Sequence, residues 1–248
     1  VKRYQLAIAF LEYTGAHGLN PFDLGRSEQP VGADHENHQN DEEPGDFLES
    51  LSDVTFVVWV LVGVENPAGC EGAVSPVEGG EGGGFKNGRD VALMVLLPLI
   101  REKVDVPIIA AGGITCGRTM AAAFALGAEG VQMGTRMVSA AESPVHENWK
   151  QMIIDAKETD TVFLNRHGPG PALRALRTER TTALELDPGE NIMGNMAKAL
   201  DLYFGGDMEA AIALSGQVAG RINSVEPVKQ IVDQMVAEFQ QVAGALNG

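Results

Sequence analysis

VPIIAAGGITCGRTMAAAFALGAEGVQMGTR, residues 106–136, is the stretch that decides the fold class. Residues 106–111 are apolar without alternation, the pattern of a strand buried on both faces. Gly112 and Gly113 end that strand, and two successive glycines can bring bare backbone N–H groups close to an anion. Residues 115–126 form an alanine-rich helix closed by Gly127. Residues 130–133 are the next strand, with Gly134 and Thr135 at its carboxyl end. The two glycine sites therefore fall on adjacent βα loops, on one rim of a parallel sheet. Together with a helix N-terminus they make a phosphate cradle.

Upstream, residues 54–62 (VTFVVWVLV) read as a buried β-branched strand, and residues 74–78 as a weaker one that carries Pro76. GGEGGG at 79–84 is a flexible loop. Residues 89–104 read as a helix with apolar Val91, Met94, Val95 and Leu99, kinked at Pro98. Four strands in βα alternation predict a parallel α/β class. A full eightfold barrel takes roughly 200 residues or more, and only half of its βα units can be found. The first 50 residues cannot supply the rest. Residues 16–50 are polar, acidic and turn-rich, the signature of a long loop or mobile segment. Residues 1–15, with a basic tip and Glu12, read as an amphipathic helix rather than a signal peptide.

Downstream, Ser143 and Pro144 start a helix whose buried stripe is Trp149, Met152, Ile153 and Ala156. Residues 160–164 suggest a short extra strand. GPGPALRALRTERT at 168–181 reads as a basic turn leading into a short helix, with Arg174, Arg177 and Arg180 on one face, to meet a substrate phosphate or, the favoured reading, to pair with carboxylates. The last stretch reads as helical. Ser224 caps a final helix in which Val228, Ile231, Val232, Met235, Val236, Phe239, Val242 and Leu246 recur at three- and four-residue steps. The expected organisation is an atypical segment over 1–50, half of a β/α barrel over 51–140, and a helical extension over 141–248.

The chain has 248 residues, with 34 acidic against 18 basic side chains and a net charge of −16. Such a field repels nucleic acid and anionic membrane, so the expected partner is a small molecule. Two cysteines, Cys70 and Cys116, form no framework, and no stretch reaches the ~20 apolar residues of a membrane span. A cytoplasmic location is the expectation. His35 and His38, amid Asp34, Glu36, Asp41 and Glu42, look like a metal cluster but lack a helix to set the geometry, so no metal is expected. His146 reads as a surface residue of a helix first turn. His167, between a strand and a Gly/Pro turn, is a substrate-site candidate, with a structural role favoured. Cys116, at a helix start, reads as a packed thiol.

The motifs VEGGEGGGF at 77–85, VPIIAAGGI at 106–114 and GAEGVQMGTR at 127–136 resemble the nitronate monooxygenase family, once called 2-nitropropane dioxygenase. Softer matches are ESPVHENWKQMIIDAKETDTV at 142–162 and GQVAG at 216–220. The same superfamily includes flavin-dependent enoyl-acyl-carrier-protein reductases. The resemblance implies an FMN-binding (β/α)8, TIM-barrel-like fold, here without its N-terminal half, in which the last two strands are the seventh and eighth. That deficit has three readings: a fragment, a wrongly recorded first part, or a sheet completed by association between copies as a homo-oligomer.

By the same resemblance, Gly112, Gly113, Gln132, Met133, Gly134 and Thr135 would hold FMN. Gly83 would touch the flavin, and Glu78 would stand where relatives carry a Gln beside the ring. Relatives read Glu-Ala-Gly-Gly-His where this chain has Glu81-Gly82-Gly83-Gly84-Phe85. The family's His is expected to act as base or to polarise the substrate. Phe85 can do neither, but it can line a pocket. Lys86, Asn87 and Arg89 could meet an anionic substrate. The implied activity is an FMN-dependent oxidation of alkyl nitronates with oxygen. The alternatives are an enoyl-thioester reductase using NAD(P)H, and a flavin- or phosphate-binding protein without turnover.

Overall fold

The computed structural model describes residues 5–11, 57–63, 75–168, 170–187, 192 and 194–246. Its larger sheet holds β1 (Gln5–Leu11), β2 (Val57–Gly63), β3 (Ser75–Glu78), β5 (Ile108–Ala111) and β6 (Gly130–Met133), in the order β1-β2-β6-β5-β3. The smaller sheet runs β4 (Gly84–Lys86), β8 (Ala172–Leu176), β7 (Thr161–Leu164). Helices α1 (Leu93–Arg101), α2 (Gly117–Ala125), α3 (Thr135–Val138), α4 (Glu147–Asp155), α5 (Glu179–Leu186), α6 (Ala199–Tyr203) and α7 (Val228–Leu246) complete the framework. The class is mixed α/β, and no closed barrel is present among the described residues.

The centre of the large sheet follows the sequence closely. β3 pairs parallel with β5, Glu78 opposite Ala111, and β5 pairs parallel with β6, Ala111 opposite Gln132. All four residues of β5 are buried, as a strand covered on both faces requires. One core cluster joins Ile108, Ala110, Val131 and Met133 of the sheet to Leu97 of α1, Met120 of α2, and Ile231, Met235 and Phe239 of α7. The rings of Phe124 and Phe239 meet at 5.2 Å, fixing α7 on α2. A second cluster packs Trp149 and Ile153 against Leu202, Ala211 and Ala219, and a third lies under the small sheet.

Several expectations are corrected. Residues 5–11 are a strand, not part of an amphipathic helix, and pair antiparallel with β2 through seven positions. A short apolar run has no decisive period, and the β-branched partner VVWVLVG supplies a ladder. β2 in turn pairs antiparallel with β6, so the sheet is not wholly parallel. In α1 the buried side chains are Leu93 and Leu97, while Met94, Val95 and Leu99, and Val91 just before the helix, are exposed. That segment, LMVLLPLIR, is apolar nearly all round, so its pattern does not select a face. Pro98 lies inside α1, as expected.

α4 begins at Glu147, not Ser143, because the His146 Nδ1 accepts the Asn148 N–H and takes the capping role. Residues 172–176 are a strand rather than a turn, so the region 141–248 is not purely helical. β8 gains ladders on both sides, from β4 and β7, and all five of its residues are buried. Arg174, Arg177 and Arg180 thus share no helix face. Arg174 and Arg177 still pair with acids, Asp90 and Glu185. α7 starts at Val228 and is not capped by Ser224: the Glu142 carboxylate accepts the Val228 N–H at 2.9 and 3.1 Å. The segment 204–227 carries only a short 3-10 turn, at Gln217–Arg221. No described helix is long and apolar enough to cross a membrane.

Phe239 is 8% exposed and Leu246 is 74% exposed on the same helix. Phe239→Ala should therefore cost roughly 3–5 kcal/mol in urea unfolding, while Leu246→Ala should leave the midpoint nearly unchanged.

Candidate active site

The carboxyl ends of β3, β5 and β6 open onto one cavity of about 370 Å³. That volume falls within the roughly 300–1,000 Å³ usual for small-molecule sites. One side is backbone and glycine: Gly82, Gly83 and Gly84 after β3, Gly112 and Gly113 after β5, and Gly134 and Thr135 after β6. Gly112 and Gly113 have φ of +83° and +77°, which side-chain-bearing residues rarely adopt. Among the described residues, neither donates its N–H to another backbone group outside the ladders. A Cβ on Gly134 would meet nothing within 4 Å, so that backbone faces open space.

Three distant segments are locked together beneath this rim. A Cβ on Gly83 would sit 2.6 Å from the Gly216 nitrogen and the Ser215 carbonyl carbon, so the two backbones touch. The Gln217 N–H donates to the Glu81 carbonyl at 2.9 Å, and the Gly216 N–H donates to the Thr135 Oγ1 at 2.8 Å. Thr135 spends an acceptor site there and keeps its own hydroxyl proton to donate. Glu81 also caps α1 from a distance, accepting the Leu93 N–H at 3.0 Å.

The charged side chains at the rim are spent on each other. Lys86, its side chain 6% exposed, pairs with Glu78 and donates to the Gly79 carbonyl at 3.3 Å. Burial pushes the Lys86 ammonium below its ordinary pKa of 10.5, against the pull of Glu78. Arg174 donates to the Gly80 carbonyl at 2.6 Å, lies 3.6 Å from Asp90 and stacks 4.9 Å over Phe163. The guanidinium clamps the glycine loop to the small sheet.

Of the residues singled out in the sequence, Glu78, Gly83, Gly112, Gly113, Gln132, Gly134, Thr135 and Phe85 line the cavity. Phe85 is 50% exposed. The Met133 side chain does not line it, being packed in the sheet core. Lys86 does not line it either, and its ammonium is held by Glu78 rather than presented to a substrate anion. His167 is exposed and outside the lining. Cys116 is half-buried, caps α2 and borders a separate polar cavity. The His35–His38 cluster and Cys70 lie outside the described residues. Among those described, no group of three or more His, Cys, Asp or Glu could hold a metal ion.

The apolar part of the lining was not legible in the sequence. Val138, Val145, Trp149, Met196, Tyr203 and Leu214 supply it. They belong to four separate stretches of chain, and no local spacing unites them. The Trp149 indole N–H donates to the Ser215 Oγ at 3.2 Å, and its ring meets Tyr203 edge-on at 4.6 Å. Burial pushes the Tyr203 phenol up to about 12.

A nitronate monooxygenase family model matches residues 68–238. A Mycobacterium tuberculosis protein named as a monooxygenase is 32% identical over 83% of this chain and 59% of its own length. The structure of FabK from Thermotoga maritima superposes with a TM-score of 0.65 at 39% identity, covering 71% of this chain and 57% of that one. Nitroalkane oxidase from Streptomyces ansochromogenes gives 0.57 at 28% identity, over 70% and 53%. The chain thus spans a little over half the length of each of these three proteins.

Two outcomes test the site geometry. Gly83→Ala must push the Ser215–Gly216 backbone away and should lower stability by about 1–3 kcal/mol, measured by urea unfolding. Tyr203 keeps its proton to about pH 12 when folded, whereas an unfolded tyrosine ionises near pH ~10. The stability from this group is full below that lower value and declines as pH rises towards the higher one. Unfolding followed between those limits should show a shallower decline for Tyr203→Phe.

Proposed function

We propose a function from one premise: the chain belongs to the nitronate monooxygenase family. On that basis it is an FMN-dependent oxidoreductase of the nitronate monooxygenase type, acting on a small molecule. The observation that carries the reading is the backbone cradle. Three parallel strand ends place Gly83, Gly112, Gly113 and Gly134 around one cavity, with the Gly134 side open. A phosphate suits this cradle because the donors are N–H groups and a hydroxyl rather than cations. The basic side chains nearby are already engaged.

Gly113 and the backbone of 132–135, with the Thr135 hydroxyl, would hold the FMN phosphate. The isoalloxazine would lie over the strand ends, near the 78–85 loop. A flavin held there supplies hydride and single-electron chemistry, and the protein positions the partners. The Lys86 ammonium offsets the charge of Glu78 beside that loop. Phe85 accepts no proton, so a nitronate that arrives already ionised is the better substrate than its neutral nitroalkane. In this reading β5 and β6 are the seventh and eighth strands of a (β/α)8 barrel. A second reading, an enoyl-thioester reductase fed by NAD(P)H, is favoured by the apolar wall, which suits an acyl chain.

The purified protein should be yellow, or become so with added FMN. Gly134→Ala fills the open side of the cradle without an internal clash, so it should keep the unfolding midpoint while weakening flavin retention at least tenfold. Oxygen uptake with an alkyl nitronate supports the first reading. NAD(P)H loss with an enoyl-CoA supports the second. Flavin binding without either leaves a binding protein, and a colourless chain that takes up no FMN overturns the proposal.

A further inference from the structure

Three residues that line the cavity can titrate: Glu78, Glu81 and Tyr203. Two of them are unavailable as proton acceptors. Both carboxylate oxygens of Glu81 lie 3.0 Å from the Leu93 nitrogen, so that group is spent as the cap of α1. Burial pushes the Tyr203 phenol up to about 12, so it keeps its proton throughout the neutral range. Phe85, which borders the same cavity, has no basic atom. Glu78 is left.

Glu78 ends β3, level with Ala111 and, through the parallel register, with Gln132, and all three line the cavity. Its Oε1 pairs with the Lys86 ammonium. Both groups lie against the backbone of Gly82, where a Cβ would strike them, so the glycine makes room for the pair. The Lys86 side chain is 6% exposed and that of Glu78 is 43% exposed, so the ammonium is shut in while the carboxylate reaches solvent. Among the described residues no backbone N–H is spent on this carboxylate, in contrast to Glu81. A carboxylate oriented by one cation and still open to water can take a proton from a bound molecule and pass it on.

We propose that Glu78 is the catalytic base of this cavity and takes the α-proton of a neutral nitroalkane. This rests on the oxidoreductase reading above and adds a residue and a step to it. The C–H bond at the carbon bearing the nitro group breaks, and its proton bonds to the Glu78 carboxylate. The electron pair stays with the substrate, which becomes the nitronate and carries its charge on the nitro oxygens. The proton then passes from Glu78 to water. Lys86, which holds the carboxylate in place, is the positioning residue. A nitronate that arrives ionised needs no such step and stays the faster substrate.

The test follows the proton apart from the oxidation. Without oxygen, the full chain supplied with FMN should wash deuterium out of α-deuterated nitroethane faster than buffer does, read by proton NMR. Glu78→Gln should cut that acceleration by about a hundredfold or more, while oxygen uptake with ethyl nitronate falls by less than about tenfold. Glu78→Asp keeps the charge beside Lys86 but draws the carboxylate back by one methylene, and it should lose about tenfold. Equal losses in exchange and oxidation, or undiminished exchange in the Gln variant, would overturn the proposal. If the Gln variant does not fold, the Asp variant decides, and an undiminished rate there overturns the base. Oxygen uptake with the nitronate but no exchange above buffer sinks the base and leaves the oxidoreductase reading standing. Exchange that depends on Glu78 in a chain that retains no flavin does the reverse.

Discussion

The structure depends on the contact between the backbone of Gly83 and that of Ser215 and Gly216. No side chain fits between them. The approach lets the Glu81 carbonyl take the Gln217 N–H, and lets Thr135 take the Gly216 N–H. Three segments far apart in sequence are thereby held at one sheet rim: the loop after β3, the end of β6 and the stretch before the 3-10 turn. With that contact in place, the glycine loop has a fixed course, and the cavity is lined by both backbone and apolar side chains.

Electrostatics at the rim work by local spending rather than by net field. The chain is strongly acidic, so a phosphate would approach against its long-range potential. The side-chain cations nearest the loop are engaged: Lys86 with Glu78, and Arg174 with Gly80 and Asp90. They stiffen the loop instead of greeting a ligand. The backbone N–H groups of the rim carry no titratable charge and need no counter-ion. The Lys86 pair also offsets the charge that Glu78 brings to the rim.

What was legible in the sequence was local. Residues 106–136 announce strand, glycine turn, helix and strand because each part is dictated by near neighbours: burial of β5, the paired glycines, the alanine-rich helix. The register that puts Glu78, Ala111 and Gln132 level with each other follows from parallel pairing. The errors fell where local pattern is ambiguous. Residues 5–11 are apolar without a period, α1 is apolar all round, and 172–176 became a strand only because β4 and β7 flank it. Arg174 could not be read as the clamp on Gly80, since its partner lies 94 residues away.

The sequence by itself determined the α/β class and the glycine-rich strand ends, since each is a property of contiguous residues. Tertiary structure alone decided what else lines the cavity. Val138, Ser143, Trp149, Met196, Tyr203 and Leu214 converge on one cavity although no spacing relates them. Tertiary structure also decided that Lys86 belongs to Glu78 and that the Ser143 hydroxyl is buried without a partner. Such facts depend on which distant groups desolvate one another, and that is set only when the elements pack.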